Sequence, residues 1–228
     1  MALETRLLPP AAVDTQVLPF SVFVAQTSDE LDELVRVRAA AYLRHNAPAA
    51  SRLSRSEEQD RNNDAILLVA RSKLTGSVVG SVRVQTRLRK PLSVESALTL
   101  PDEMLERSPV ELMRGNVLNG VGGKMVSAAL AKGSYQVCKA LKFSHIIVTC
   151  REPVDLMYRA YQFDDLLNGA MVDLPYSPGV KHKVLTLNVQ EAEQRWKTNN
   201  PPLLNFMVGT NHPDIAINYD YIFRRLNS

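Results

Sequence analysis

The sequence predicts an α/β (α+β) domain built on one mixed central sheet flanked by helices. Three observations carry this. Short apolar runs suited to strands recur at 20–25, 65–71, 77–86, 111–118, 143–150 and 184–189. Segments of helical period or composition lie between several of them, above all at 28–45 and 124–141. No internal repeat is present, so the interleaved elements share one sheet rather than stack as a solenoid. With 228 residues, 45% of them hydrophobic and 22% charged, the chain can bury a sizeable core. A formal charge of +3 sets aside a strongly basic nucleic-acid binder. Cys138 and Cys150 make no disulfide framework, no Cys/His cluster has zinc spacing, and no metal site is expected. No apolar run approaches the roughly 18 residues of a membrane helix. Residues 1–20 hold Glu4, Arg6, Pro9, Pro10 and Asp14 with no continuous apolar stretch, which does not read as a signal peptide. A reducing, cytoplasmic compartment is expected.

In chain order, residues 1–19 read as an irregular arm and 20–25 (FSVFVA) as the first strand. Thr27 and Glu30 have capping-box spacing, so a helix starts at about Ser28 and runs to His45. Leu31, Leu34, Val35, Ala41 and Tyr42 line one face of it. Residues 46–63 are polar and aperiodic and read as a mobile loop. A hairpin follows, with strands 65–71 and 77–86, and then an irregular stretch at 87–108. Strand 111–118 leads through the turn Asn119–Gly123 into helix 124–141, whose weak point is Gly133. Strand 143–150, a short helix at 155–161, strand 184–189 and a helix start at 190–197 come next. The punctuation at Asn199–Pro202 separates these from short helices at 203–208 and 215–226.

Five features can carry chemistry. Gly120, Gly122 and Gly123 lie between a strand and a helix, where backbone N–H groups can approach an anion, and Lys124 adds a cation. The alternative is a plain strand–helix turn, since neither a Walker A nor a GxGxxG fingerprint is present. Arg38 falls on the apolar face of its helix and must find a partner or reach solvent. Alternation places Arg83 with Val79 and Ser81, opposite Val78, Val82 and Val84. Glu111 and Arg114 point to opposite faces of a regular strand, and a β-bulge between them would bring both to one face. Tyr158 and Phe163 follow the pattern Tyr-x-x-x-Gln-Phe; a tyrosine there is a proton donor or a packing residue.

The pieces VRVRAAAY (35–42), VVGSVRV (78–84), ELMR (111–114), NGVGGKMVSAAL (119–130) and YRAYQF (158–163), in this order, resemble the GNAT acyltransferase fold. More narrowly they resemble acyl-homoserine-lactone (autoinducer) synthases and the related N-acyl amino acid synthases. The tail FMVGTNHPDI (206–215) is similar to the latter. The resemblance spans roughly residues 20–225, so 20–228 is expected to form a single GNAT-like domain with a C-terminal helical extension.

The resemblance implies an N-acyltransferase that moves a fatty acyl group from a thioester to the amine of an amino acid or similar small molecule. It implies Glu111 as the base, Arg114 beside it and Tyr158 as proton donor to the thiolate. Arg38, Tyr42, Arg83 and Arg114 stand at the family's positions, where the arginines bind the acceptor carboxylate or brace Glu111. No tightly bound cofactor is implied; the co-substrate is an acyl-phosphopantetheine thioester whose phosphate rests on Gly120, Gly122, Gly123 and Lys124. The turn lacks the basic residue that leads the usual coenzyme A loop, which favours acyl carrier protein over coenzyme A. The basic run Arg87, Arg89, Lys90 is the expected docking point for that acidic carrier. The family's paired acids are echoed by Asp60 and Asp64, and Gln162 replaces its usual glycine. The rival readings are an acetyl-CoA-dependent GNAT acetyltransferase and a non-catalytic ligand-binding or regulatory protein on the same fold.

Overall fold

A computed structural model describes residues 14–44, 46–118, 120 and 122–228. Strands β1 (Asp14–Thr15) and β2 (Phe20–Val24) precede helix α1 (Ser28–Leu43). The capping box is formed: Thr27 Oγ1 accepts the Glu30 N–H at 3.2 Å, and Glu30 Oε2 accepts the Thr27 N–H at 3.1 Å. Residues 46–63 are not a loop. They fold into α2 (Ala47–Arg52) and α3 (Glu58–Arg61). Asn46 caps α2 by accepting the Ala49 N–H at 2.9 Å, and Asp60 reaches back to the Glu57 N–H at 2.9 Å. Caps, not an apolar period, hold these two short helices.

The hairpin is β3 (Ala65–Ser72) and β4 (Val78–Thr86). A single 3-10 turn (Ser93–Ser96) and α4 (Asp102–Leu105) follow, then β5 (Val110–Val117) and α5 (Gly123–Ala140). The rest is β6 (His145–Cys150), α6 (Val154–Ala160), β7 (Asp164–Asp165), β8 (Val172–Asp173), β9 (Lys181–Asn188), α7 (Ala192–Asn199), α8 (Pro201–Leu204), a π-helical turn (Asn205–Gly209), β10 (Thr210–Asn211) and α9 (Tyr219–Asn227).

The main sheet runs β2-β3-β4-β5-β6-β9-β7, and β8 pairs with β9. Every neighbour pair is antiparallel except β5–β6. A parallel pair needs a crossover, which α5 supplies. One face of the sheet carries α5 and α7 over the largest core cluster, which includes Val22, Ile66, Leu68, Val82, Val84, Ile146, Val148 and the fully buried Trp196. The other face carries α1, whose Leu34, Val35 and Val37 meet Leu67, Val69 and Val78. A register shift opposite Ala70/Arg71 inserts one extra residue, Val79, into β4. That bulge turns Val79 to the α5 face with Val82 and Val84, so it does not share the side of Arg83 as plain alternation predicted.

Gly133 does not break α5, and a Cβ there would meet Leu68, Val22 and Ile215 at ordinary contact distances of 3.5–3.6 Å. The residue just before it, Lys132, is buried and has no carboxylate partner among the described residues. Its ammonium donates to the Phe206 carbonyl at 2.8 Å and the Thr210 carbonyl at 2.6 Å, and lies 2.8 Å from His212 Nδ1. This draws residues 206–212 onto α5. The end of the expected irregular arm is likewise tied down: β1 pairs with β10, and the Leu18 N–H donates to Asp214 at 2.7 Å. Residues 1–13 lie outside the described residues. Both cysteines are buried and free. Among the described residues no helix is long and apolar enough to cross a membrane.

Candidate active site

β5 and β6 pair only from Val110/Ile146 to Leu112/Val148 and then diverge. Where they part, the sheet opens into a cavity of about 670 Å³. Its walls come from β5 (Leu112–Val117), the end of β6 (Thr149–Arg151), Tyr158, the α1–α2 corner and the turn around Tyr176. At the mouth, β5 carries a second bulge. Arg83 faces Met113 and Ser81 faces Asn116, so Arg114 and Gly115 together oppose Val82. Arg114 sits at φ 56, the left-handed value such an extra residue adopts.

Arg114 lines this cavity, and its guanidinium donates to both oxygens of Glu57 at 2.7 and 2.6 Å. The same Glu57 accepts from Arg38 at 3.3 Å and Arg83 at 3.1 Å. Behind it Asp60 accepts twice from Arg38, at 2.9 Å each, and once from Arg83 at 3.0 Å. Three guanidinium groups thus grip two carboxylates. Burial pushes both carboxyls up, but the hydrogen bonds and charges of Arg114, Arg38 and Arg83 outweigh it, so both titrate below the ordinary carboxylate range. Arg38 and Arg83 are each 1% exposed and do not line the cavity. Neither is free to bind an acceptor. They brace α3 instead, and through Glu57 they hold Arg114.

Glu111 is fully buried and also does not line the cavity. One oxygen accepts the Val94 N–H at 3.0 Å; the other is buried without a hydrogen-bond partner. Burial pushes its carboxyl up to about 7, against the pull of the Val94 N–H and the nearby Arg83 and Arg114 charges. Its charge reaches Tyr176, whose phenol is raised by burial and by that charge. Tyr176 forms the roof: its hydroxyl lies 2.9 Å from Thr149 Oγ1 and its ring 5.2 Å from the Arg114 guanidinium carbon.

Tyr158 lines the opposite wall, packs edge-on against Phe163 at 5.3 Å, and has its phenol pushed up by burial, so it keeps its proton at neutral pH. Tyr42 lines the cavity from α1. At the start of α5, Gly120 (φ 89) and Gly122 (φ 56) are left-handed with open space where a Cβ would stand, and Lys124 is exposed. Asn119 and Val121 of the same turn lie outside the described residues.

Two residues of the site were not anticipated, Glu57 and Tyr176. The signal for Glu57 was its three-residue spacing from Asp60, which places both acids on one helical turn, but that turn was read as loop. Of the echoed acid pair, Asp60 belongs to the cluster. Asp64 does not; it binds Arg89 at 2.7 Å. The basic run lies at the surface, and each of its three cations is paired within the chain. Arg87 holds Glu95 at 2.8 Å, Arg89 also donates to the Leu226 carbonyl at 2.8 Å, and Lys90 holds Glu58 at 2.8 Å. It follows Thr86, which pairs with Val110 at the end of β5 away from the cavity.

An eight-stranded sheet split at its one parallel pair, with a bulged strand on one lip and a glycine turn leading into a helix, is the GNAT acyltransferase fold. Solved structures of that fold match this chain along most of its length. FeeM, an N-acyl amino acid synthase from uncultured soil microbes, aligns at 11% identity with a TM-score of 0.60, over 77% of this chain and 93% of its own. BjaI, a CoA-dependent acyl-homoserine lactone synthase, aligns at 12% identity with a TM-score of 0.59, over 92% of this chain and 100% of its own. A putative GNAT-family acetyltransferase from Desulfovibrio desulfuricans aligns at 11% identity with a TM-score of 0.54, over 75% and 99%. No family model matches the sequence, and no curated protein matches it.

Proposed function

We propose that the protein is an N-acyltransferase that moves a fatty acyl group from a phosphopantetheine thioester to the amine of an amino acid or similar small molecule. The observation that carries this reading is the split between β5 and β6, which makes a through-sheet cavity with a bulged strand on one lip and a near-neutral carboxyl on that same strand. About 670 Å³ exceeds what an acetyl group alone would fill, and accommodates a chain and an acceptor together.

In this reading the amine nitrogen attacks the thioester carbonyl carbon. Backbone N–H groups on the open, bulged part of β5 hold the tetrahedral oxyanion. The amine proton passes to Glu111 by way of water under Tyr176, since Glu111 does not reach the cavity itself. As the C–N bond forms the C–S bond breaks, and the departing thiolate takes a proton from Tyr158 or from solvent. Arg38 and Arg83 act at one remove, by fixing Glu57 and so Arg114. Gly120, Gly122, Gly123 and Lys124 cradle the phosphate of the donor arm, and Tyr42 packs against the substrate.

The donor is an acyl carrier protein in the finer form of this proposal, supported by the missing basic residue ahead of the glycine turn; Arg87, Arg89 and Lys90 lie at the surface and are already paired within the chain, so a docking carrier would compete with Glu95, Asp64 and Glu58. BjaI is a CoA-dependent synthase, so a coenzyme A-bound donor belongs in the assay beside the carrier-bound one. Lipid extracts of an expressing host should contain new N-acyl amino acids by mass spectrometry. The purified protein should form the same products from an acyl chain on one of the two carriers. No product with either carrier and a full panel of amino acids would leave a ligand-binding role on the same fold.

A further inference from the structure

The cavity carries more positive charge than the donor arm can use. Among the described residues, Glu57 is the sole carboxylate in its walls, and it is already matched by Arg38, Arg83 and Arg114. Three further arginines line the walls: Arg44, Arg52 and Arg151. Arg44 is held by backbone, donating to the Val117 carbonyl at 3.0 Å. The side chains of Arg52 and Arg151, both exposed, have no hydrogen bond or ion pair among the described residues.

These two stand on different walls. Arg151 ends β6 next to α6, whose Tyr158 packs into the core on the α5 face. The glycine turn opens α5, so the donor phosphate and Arg151 belong to the same side of the split. Arg52 ends α2, which packs on α1, across the sheet from α5. A thioester lying in the split is reached by a second substrate from the side its carrier does not occupy. Among the described residues of the cavity wall on that side, Arg52 is the cation without an ion pair or side-chain hydrogen bond, and Arg38 and Arg83 are locked in the Glu57–Asp60 cluster.

We infer that Arg52 is the residue that binds the free carboxylate of the acceptor and so selects α-amino acids over amines that lack one. This rests on the acyl-transfer reading and narrows it. A guanidinium pairs with a carboxylate through two parallel N–H···O bonds, a geometry an amide cannot reproduce. The acceptor is thereby anchored at one end and presents its amine to the split, where Glu111 and Tyr176 lie.

The test uses the intact protein and two readouts. Calorimetric titration compares an N-acyl amino acid with its C-terminal amide, which differ only in the charged group. Steady-state assays compare the free amino acid with its amide as acceptors. In the wild type the acid should bind and react at least about tenfold better than the amide. Arg52→Ala should erase that preference while leaving the apparent KM for the donor within about twofold. Arg151→Ala should keep the preference and raise the donor KM. Equal binding of acid and amide to the wild type would overturn the inference, as would loss of the preference in Arg151→Ala rather than in Arg52→Ala. Absence of acyl transfer to every acceptor, with titration still separating acid from amide, would instead overturn the enzymatic reading and leave the carboxylate site standing.

Discussion

Replacing Asp60 by asparagine tests whether the arginine cluster is a brace. Asp60 accepts four hydrogen bonds, two from Arg38, one from Arg83 and one from the Glu57 N–H, and is 1% exposed. Asparagine keeps the shape but turns one acceptor oxygen into an NH2 that faces guanidinium donors. The formal charge of the cluster rises from +1 (Arg38, Arg83 and Arg114 less Glu57 and Asp60) to +2. Breaking a buried ion pair from one side costs about 3–5 kcal/mol. Glu57 remains to compensate, so about 3 kcal/mol is expected, and in a chain of this size that lowers Tm by roughly 6–12 °C. Circular dichroism melts at pH 7 read the effect. The double change Asp60→Asn with Arg38→Gln removes the excess charge and should recover part of the loss. Asp60 titrates below its unfolded value of about 3.9. Its contribution is therefore fully present above about pH 4 and is lost as pH falls through the folded-state value, so the wild-type and variant curves should converge in acid. A Tm loss under about 2 °C, or a double variant no better than the single, would refute the brace.

Glu111→Gln should lower turnover by about 10²–10⁴-fold and abolish the limb of the pH–rate profile that falls below about pH 7. Because a raised carboxyl favours the folded state at low pH and weakens it as pH rises through about 7, this variant should melt no lower than the wild type at pH 8; near-wild-type turnover would remove Glu111 from the mechanism. Gly122→Asp should weaken donor binding more than acceptor binding, because a new carboxylate would stand at a left-handed position in open space where a phosphate is expected; equal donor affinity in a titration would dismiss the cradle. Changing Arg87, Arg89 and Lys90 together to alanine should lower Tm, through the unpaired Asp64 and Glu95, and leave kcat/KM for carrier-bound and coenzyme A-bound donor alike; a selective loss with the carrier would restore docking there.

The strands and the two long helices were legible because their signals are local. The apolar run at 20–25, the Thr27–Glu30 cap and the glycine-bounded hairpin each announce themselves within a few residues. Residues 46–63 failed because α2 and α3 are too short to show an amphipathic period, and their caps are polar residues that composition reads as loop. That one misreading hid Glu57 and with it the partners of Arg38 and Arg83. The sequence suggests a bulge only as a condition, and between Glu111 and Arg114; the strand is regular from Glu111 to Met113 and the bulge takes in Arg114 and Gly115 instead. Tyr176 was invisible: it reaches the site on a turn whose place depends on β9 pairing with β6, a contact far apart in sequence.

Lys132 makes residues 206–212 an internal ligand of α5. Burial pulls its ammonium down to about 8, and burial together with the Lys132 charge holds the His212 imidazole below its ordinary value, against the opposing pull of Asp14 and Asp214. Each group gains proton affinity when the tail leaves, so the docked tail is the proton-poor state. Detachment takes up protons, acid loosens the tail and mild alkali tightens it. A chain cut before Phe206 would take away both carbonyl acceptors of the ammonium and expose it, so this segment belongs to the core, though it contributes almost no apolar surface of its own beyond Phe206 and Met207.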